Sequence, residues 1–128
     1  MLFEYEKNYE KQTVENPPLE FIMRQLNDIT IRGNSYFILT NDLGDFIQCA
    51  GAKLRLTIEY KNKLGGTHYI LGLENNNREP ISINFSGGPI VIKKNEVLNI
   101  KHAINLFSSF YRKEEIPKKY VLRLFQQE

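Results

Sequence analysis

Leu54-Arg55-Leu56-Thr57-Ile58-Glu59-Tyr60-Lys61 alternates apolar and polar side chains without a break. Period two belongs to a strand, and here it predicts one face in a core and the other in water. Lys63-Leu64-Gly65-Gly66 turns the chain, and Thr67 to Leu73 supplies an adjacent strand. Upstream, Tyr36-Phe37-Ile38-Leu39-Thr40 and Phe46-Ile47-Gln48-Cys49 flank the turn Asn41-Asp42-Leu43-Gly44-Asp45, which reads as a hairpin. Downstream, Ile81, Ile83 and Phe85 alternate with Ser82 and Asn84. Gly87-Gly88-Pro89 then leads into Ile90-Val91-Ile92, a separate strand or the continuation of a bent one.

Two helices bracket these strands. Asn16-Pro17-Pro18 predicts a helix start with Asn16 as cap and Pro17 in the first turn, followed by the apolar stripe Leu19, Ile22, Met23 and Leu26. Asn99 is the expected cap of the second, whose face carries Ile100, Ala103, Ile104, Phe107, Phe110 and Tyr111. Pro117 closes the segment after it, and Tyr120 to Phe125 reads as a terminal strand. Residues 1–14 supply an edge strand or an extended arm. The expected fold is α+β, a mostly antiparallel sheet of about five to seven strands with both helices on one face. The domain spans 1–128, since no repeat, low-complexity tract or linker divides the 128 residues.

Composition narrows the function. Hydrophobic residues at 41% and charged residues at 25% describe a folding chain. A net charge of +2 from 17 basic and 15 acidic residues lacks the basic footprint of general nucleic-acid binding, so no direct nucleic-acid partner is expected. Cys49, the single cysteine, favours a reducing compartment. The start Met1-Leu2-Phe3-Glu4 lacks a signal-peptide pattern, and no apolar run approaches the roughly 18 residues of a membrane span. A cytoplasmic protein without membrane contact is the expectation, as a monomer or weak homodimer.

Motifs of catalysis are missing. His68 falls in a strand and His102 in the first turn of a helix, without a nucleophile in a recognisable context, so both read as structural. Asp42 and Asp45 share a turn that lacks the spaced ligands of a calcium loop, and a solvated hairpin turn explains them. Gly65-Gly66 and Gly87-Gly88 lead into strands rather than helix N-termini, which argues against phosphate cradles. Glu114-Glu115 reads as a solvated connection. No catalytic residue, metal site or cofactor is expected, and the chain reads as a binding protein. Exposure in turns or strands marks Asp42, Asp45, Tyr60, Tyr69 and Glu74 as candidate partner-binding residues, tyrosines giving contact area and acids steering a basic partner.

The run Tyr36 to Gln48, the strand pair around Gly65-Gly66, and Asn95 to Phe125 with Ala103-Ile104-Asn105-Leu106-Phe107 before Pro117 together resemble the immunity protein 1 family of contact-dependent growth inhibition and related bacterial toxin systems. The resemblance implies a protein that binds a cognate toxin domain in the cytosol and neutralises it by occlusion, a nuclease being among the candidate toxins. It implies no reaction and carries no interface residue over. Two other readings stay open: a small enzyme or ligand-binding domain with a pocket between helices and sheet, and an adaptor with a self-complementary apolar patch.

Overall fold

The computed structural model describes residues 1–127 and side chains as far as Phe125, so the domain drawn over 1–128 is described to Gln127. Its elements in order are β1 (Leu2–Lys7), β2 (Glu10–Glu15), α1 (Leu19–Asn27), β3 (Tyr36–Thr40), β4 (Phe46–Ala52), β5 (Arg55–Asn62), β6 (Thr67–Leu73), β7 (Pro80–Phe85), β8 (Gly88–Lys93), a one-turn 3-10 helix (Lys94–Glu96), α2 (Ile100–Tyr111) and β9 (Tyr120–Gln127). Seven strands form one antiparallel sheet in the order β2-β1-β3-β4-β5-β6-β9, and β7 and β8 pair only with each other. The α+β architecture is as expected.

The register assigns the two faces. Phe3 opposes Leu39, Tyr5 opposes Phe37, Leu39 opposes Ile47 and Cys49 opposes Ile58, so these residues share one face. Both helices pack there: Ile22 and Leu26 of α1 and Ala103, Leu106 and Phe107 of α2 join them in one buried cluster. Phe3, Phe37 and Phe107 are fully buried, each worth about 1.5–3 kcal/mol over an exposed side chain.

The opposite face is half covered. Ile83 of β7 and Ile92 of β8 pack on Ile70 of β6, forming a second small core. This corrects the expectation of a solvated face on β5, because Leu56, Thr57, Ile58 and Glu59 are all buried in succession. Ser86-Gly87 therefore turns a separate hairpin, β8 starting at Gly88, that folds over the sheet. Gly51, at φ +133°, lets β4 press on the backbone of β5 and on Ile83, where a Cβ would meet the Arg55 carbonyl oxygen and come within 2.9 Å of Leu56 Cα.

Three local expectations change. The segment before α1 is a hairpin rather than an arm or a single edge strand: β2 takes the edge and β1 lies inside, joined through Asn8 and Tyr9 at positive φ. The helix begins at Leu19 with Pro18 at its cap position and no side-chain cap, while Asn16 adopts φ 51° and accepts a hydrogen bond from the Met1 ammonium at 2.6 Å. Leu54 is 81% exposed, because the strand begins one residue later and Leu54 stands in the turn. By contrast Asn99 caps α2 as expected, its Oδ1 accepting from the N–H groups of Lys101 and His102 at 3.0 and 3.3 Å.

Candidate partner-binding cleft

Where β4 and β5 run out from under the C-terminal turn of α2, the helix-bearing face opens into a cleft of about 670 Å³. Ile47, Tyr60, Leu106 and Phe110 line its apolar part. The Tyr60 and Phe110 rings meet edge to face, with centroids 6.4 Å apart.

The β3–β4 turn forms one wall, and Asn41 organises it. Its Oδ1 accepts from the N–H groups of Leu43 and Asp45, both at 3.0 Å, and Gly44 at φ +87° reverses the chain. Asp45 is built into this wall: its carboxylate accepts from Asn41 Nδ2 at 3.2 Å and from the Lys63 N–H at 2.9 Å, tying the turn to the β5–β6 connection. Lys63 lays its methylene chain against Gly44. The Asp42 carboxylate stands out in solvent, with one oxygen 3.8 Å from the Met1 ammonium.

The facing wall follows α2. The helix ends in a Schellman motif: Lys113 takes φ 61°, its N–H reaches the Phe110 carbonyl at 3.1 Å, and the Glu114 N–H reaches the Ser109 carbonyl at 2.9 Å. A lysine fills the left-handed position usually given to glycine. The reversal carries Lys113, Glu114, Glu115 and Ile116 along the cleft. Burial, then the Asp45 carboxylate, then Tyr69, push the Tyr60 phenol above its ordinary pKa, so its hydroxyl stays protonated.

Four of the five candidates come together here. Asp42, Asp45 and Tyr60 line the cleft, and Tyr69 directly opposes Tyr60 on the same face of the sheet. Beyond Tyr69 the face continues through Leu124 and Leu122, which are 50% and 42% exposed. Glu74 does not belong: it is exposed in the connection after β6, outside the cleft lining. Sequence reasoning missed Glu114, Glu115, Leu106 and Phe110 as cleft residues. Only Pro117, stopping the chain soon after the acidic pair, hinted that the connection is held close to the helix end.

The histidines lie on opposite sides of the sheet. His102 of α2 sits on the helical side, its Nδ1 2.6 Å from the Tyr120 hydroxyl. Burial and then Lys119 lower its pKa. His68, next to Tyr69 in β6, points to the other face, where Nε2 lies 2.8 Å from a carboxylate oxygen of buried Glu59 without the alignment of a hydrogen bond. The His68 ring also meets Phe46 and Phe125 edge to face. Neither histidine lines the cleft. Cys49 is buried, and desolvation raises its thiol pKa strongly.

Among the described residues no group of three or more His, Cys, Asp or Glu side chains is arranged to hold a metal ion, and no helix is long and apolar enough to cross a membrane. No protein-family model matches the sequence, and no curated protein matches it.

Proposed function

We propose that this chain is an immunity protein that binds a cognate bacterial toxin domain in the cytosol and neutralises it by occlusion. One observation supports the reading above the rest: Asp42, Asp45 and Tyr60, chosen as partner contacts from sequence, converge on one cleft with Tyr69 beside them. Such a site has the anatomy of an interface, with aromatic anchors surrounded by charge. The resemblance of the strand pattern and of Ala103 to Phe107 to immunity proteins supplies the partner class. Co-expression with the toxin domain encoded beside it tests the proposal: the two copurify and growth is restored. Toxicity without copurification overturns it.

A second reading has its own supporting observation. The cleft lies between α2 and the sheet, with a volume inside the usual range of about 300–1,000 Å³ for small-molecule sites. A ligand-binding domain retains a small molecule in native mass spectrometry of the purified chain, whereas an occluding protein is recovered with its protein partner.

A further inference from the structure

We infer that the cleft accepts a cationic protein segment, a lysine- or arginine-bearing stretch carrying one large apolar side chain, and that Glu114 and Glu115 select it. The inference deepens the immunity reading and rests on it for the partner's being a toxin.

The lining divides by chemistry. Its depth is apolar: the part-exposed Tyr60, Phe110 and Ile116 and the exposed Leu43 offer a bed for a leucine or aromatic side chain, above the buried Ile47 and Leu106. Its rim is anionic: the carboxylates of Asp42, Asp45, Glu114 and Glu115 outnumber Lys113 and the Met1 ammonium. These charges differ in use. Asp45 is committed to the turn and Asp42 stands near the Met1 ammonium, whereas Glu114 and Glu115 are exposed and have no side-chain partner among the described residues. The negative end of the α2 dipole is offset by Arg112 at the cap and Lys113 after it, so the anionic character of the rim rests on the carboxylates.

The exposed carboxylates set the sign of the rim. A polyanion is repelled, and an uncharged apolar ligand leaves the rim unused. A cation on an apolar stem uses both parts, its methylenes on the bed and its charge at the rim. An apolar residue flanked by lysine or arginine is the protein segment that matches.

The test uses the whole chain and three acetylated, amidated hexapeptides: Lys-Lys-Trp-Leu-Lys-Lys, its counterpart with glutamate for every lysine, and Lys-Lys-Gly-Ser-Lys-Lys. The chain has no tryptophan, so fluorescence of the two tryptophan peptides reports their binding directly, while amide NMR shifts of the chain locate binding and titrate all three. At about 20 mM salt the first peptide shifts Leu43, Phe110 and Ile116 saturably, and raising salt to about 300 mM weakens it as screening requires. The other two bind at least about tenfold more weakly, each lacking one component of recognition. The triple variant Asp42→Lys, Glu114→Lys, Glu115→Lys, altered only at exposed positions, raises the dissociation constant about tenfold through three rim charges.

No saturable shift at the cleft, or equal binding of the glutamate peptide, overturns the inference. Co-expression of the triple variant with the toxin domain separates the two claims. Full protection by that variant leaves the immunity reading standing and removes the cleft from it, whereas failure of the wild-type chain to protect removes the immunity reading alone.

Discussion

Arg123 of β9 holds Glu96 in a two-pronged ion pair, Nε to Oε2 at 2.7 Å and Nη2 to Oε1 at 2.9 Å, with Glu96 itself only 2% exposed. Glu96 also accepts the Lys93 N–H at 2.8 Å, so one buried carboxylate fastens the end of β8 to the sheet's final strand. Arg123→Leu leaves that charge buried without its partner and should cost about 2–3 kcal/mol in urea unfolding, below the full cost of a deeply buried pair because Arg123 is part exposed. Adding Glu96→Gln removes the charge but keeps an oxygen for Lys93, so the double variant should be more stable than Arg123→Leu alone. A double variant no more stable than the single would show that the uncompensated charge is not the source of the loss.

Glu6 joins β1 to the tip of the β7–β8 hairpin. Its Oε1 accepts from the N–H and hydroxyl of Ser35, both at 2.8 Å, and Ser35 Oγ in turn accepts from the Ser86 N–H at 2.9 Å and lies 3.0 Å from Ser86 Oγ. Burial by itself would raise the Glu6 carboxyl, but hydrogen bonds with Ser86 and Ser35 outweigh it and hold the group below the ordinary 4.5. A depressed folded pKa contributes stability that is fully present above the unfolded value and is lost as pH falls through the folded one. Glu6→Gln should therefore flatten the pH dependence of urea midpoints below about pH 4.5, with little change in slope from pH 6 to 8.

His102 shifts in the same direction as Glu6, but the form it favours is the neutral one. Burial and Lys119 lower its pKa from 6.5, so the folded state favours the neutral ring beside Tyr120. As for Glu6, the unfolded chain binds the proton first, and stability falls as pH drops from about 6.5 toward the lower folded value. The His102 ring resonance should titrate below 6.5 in NMR, and Lys119→Gln should move its midpoint upward. An unchanged midpoint in that variant would remove Lys119 as a cause.

Gly51 sits where β4 closes on β5 and on Ile83 of the covering hairpin. Its φ of +133° and the backbone of Arg55 and Leu56 leave no room for a side chain. Gly51→Ala should destabilise the protein by about 2–4 kcal/mol, with both strain and overpacking contributing. Denaturant unfolding checks the cost, and hydrogen exchange should find the faster opening at Ile83, which lies against Gly51, and at Ile92 packed beside Ile83.

The candidate cleft was partly legible in the chain. Asp42 and Asp45 could be read from turn chemistry, and Tyr60 and Tyr69 from strand alternation, because these signals are local. Glu114 and Glu115 read as a solvated connection because only the Schellman reversal at Lys113 lays them along the cleft. Phe110 was legible as a helix-face residue but not as a cleft residue, since its exposure depends on where β4 and β5 emerge beneath α2. Glu74 had the right local character and the wrong end of β6.

By itself the sequence determined the α+β class and most of the elements, leaving the β1–β2 hairpin and the separation of β7 from β8 open. The eight-residue alternation from Leu54 to Lys61, the stripes of α1 and α2, and the Asn99 cap are regularities of neighbouring residues, imposed by backbone geometry at periods of 2 and 3.6. Tertiary structure alone decided the strand order, the packing of β7 and β8 over Ile70, the burial of Thr57 and Glu59, the opposite faces of His68 and His102, and the meeting of the Asp45 turn with the end of α2. Those outcomes depend on contacts between residues tens of positions apart, whose selection follows from packing the whole chain and leaves no periodic mark along it.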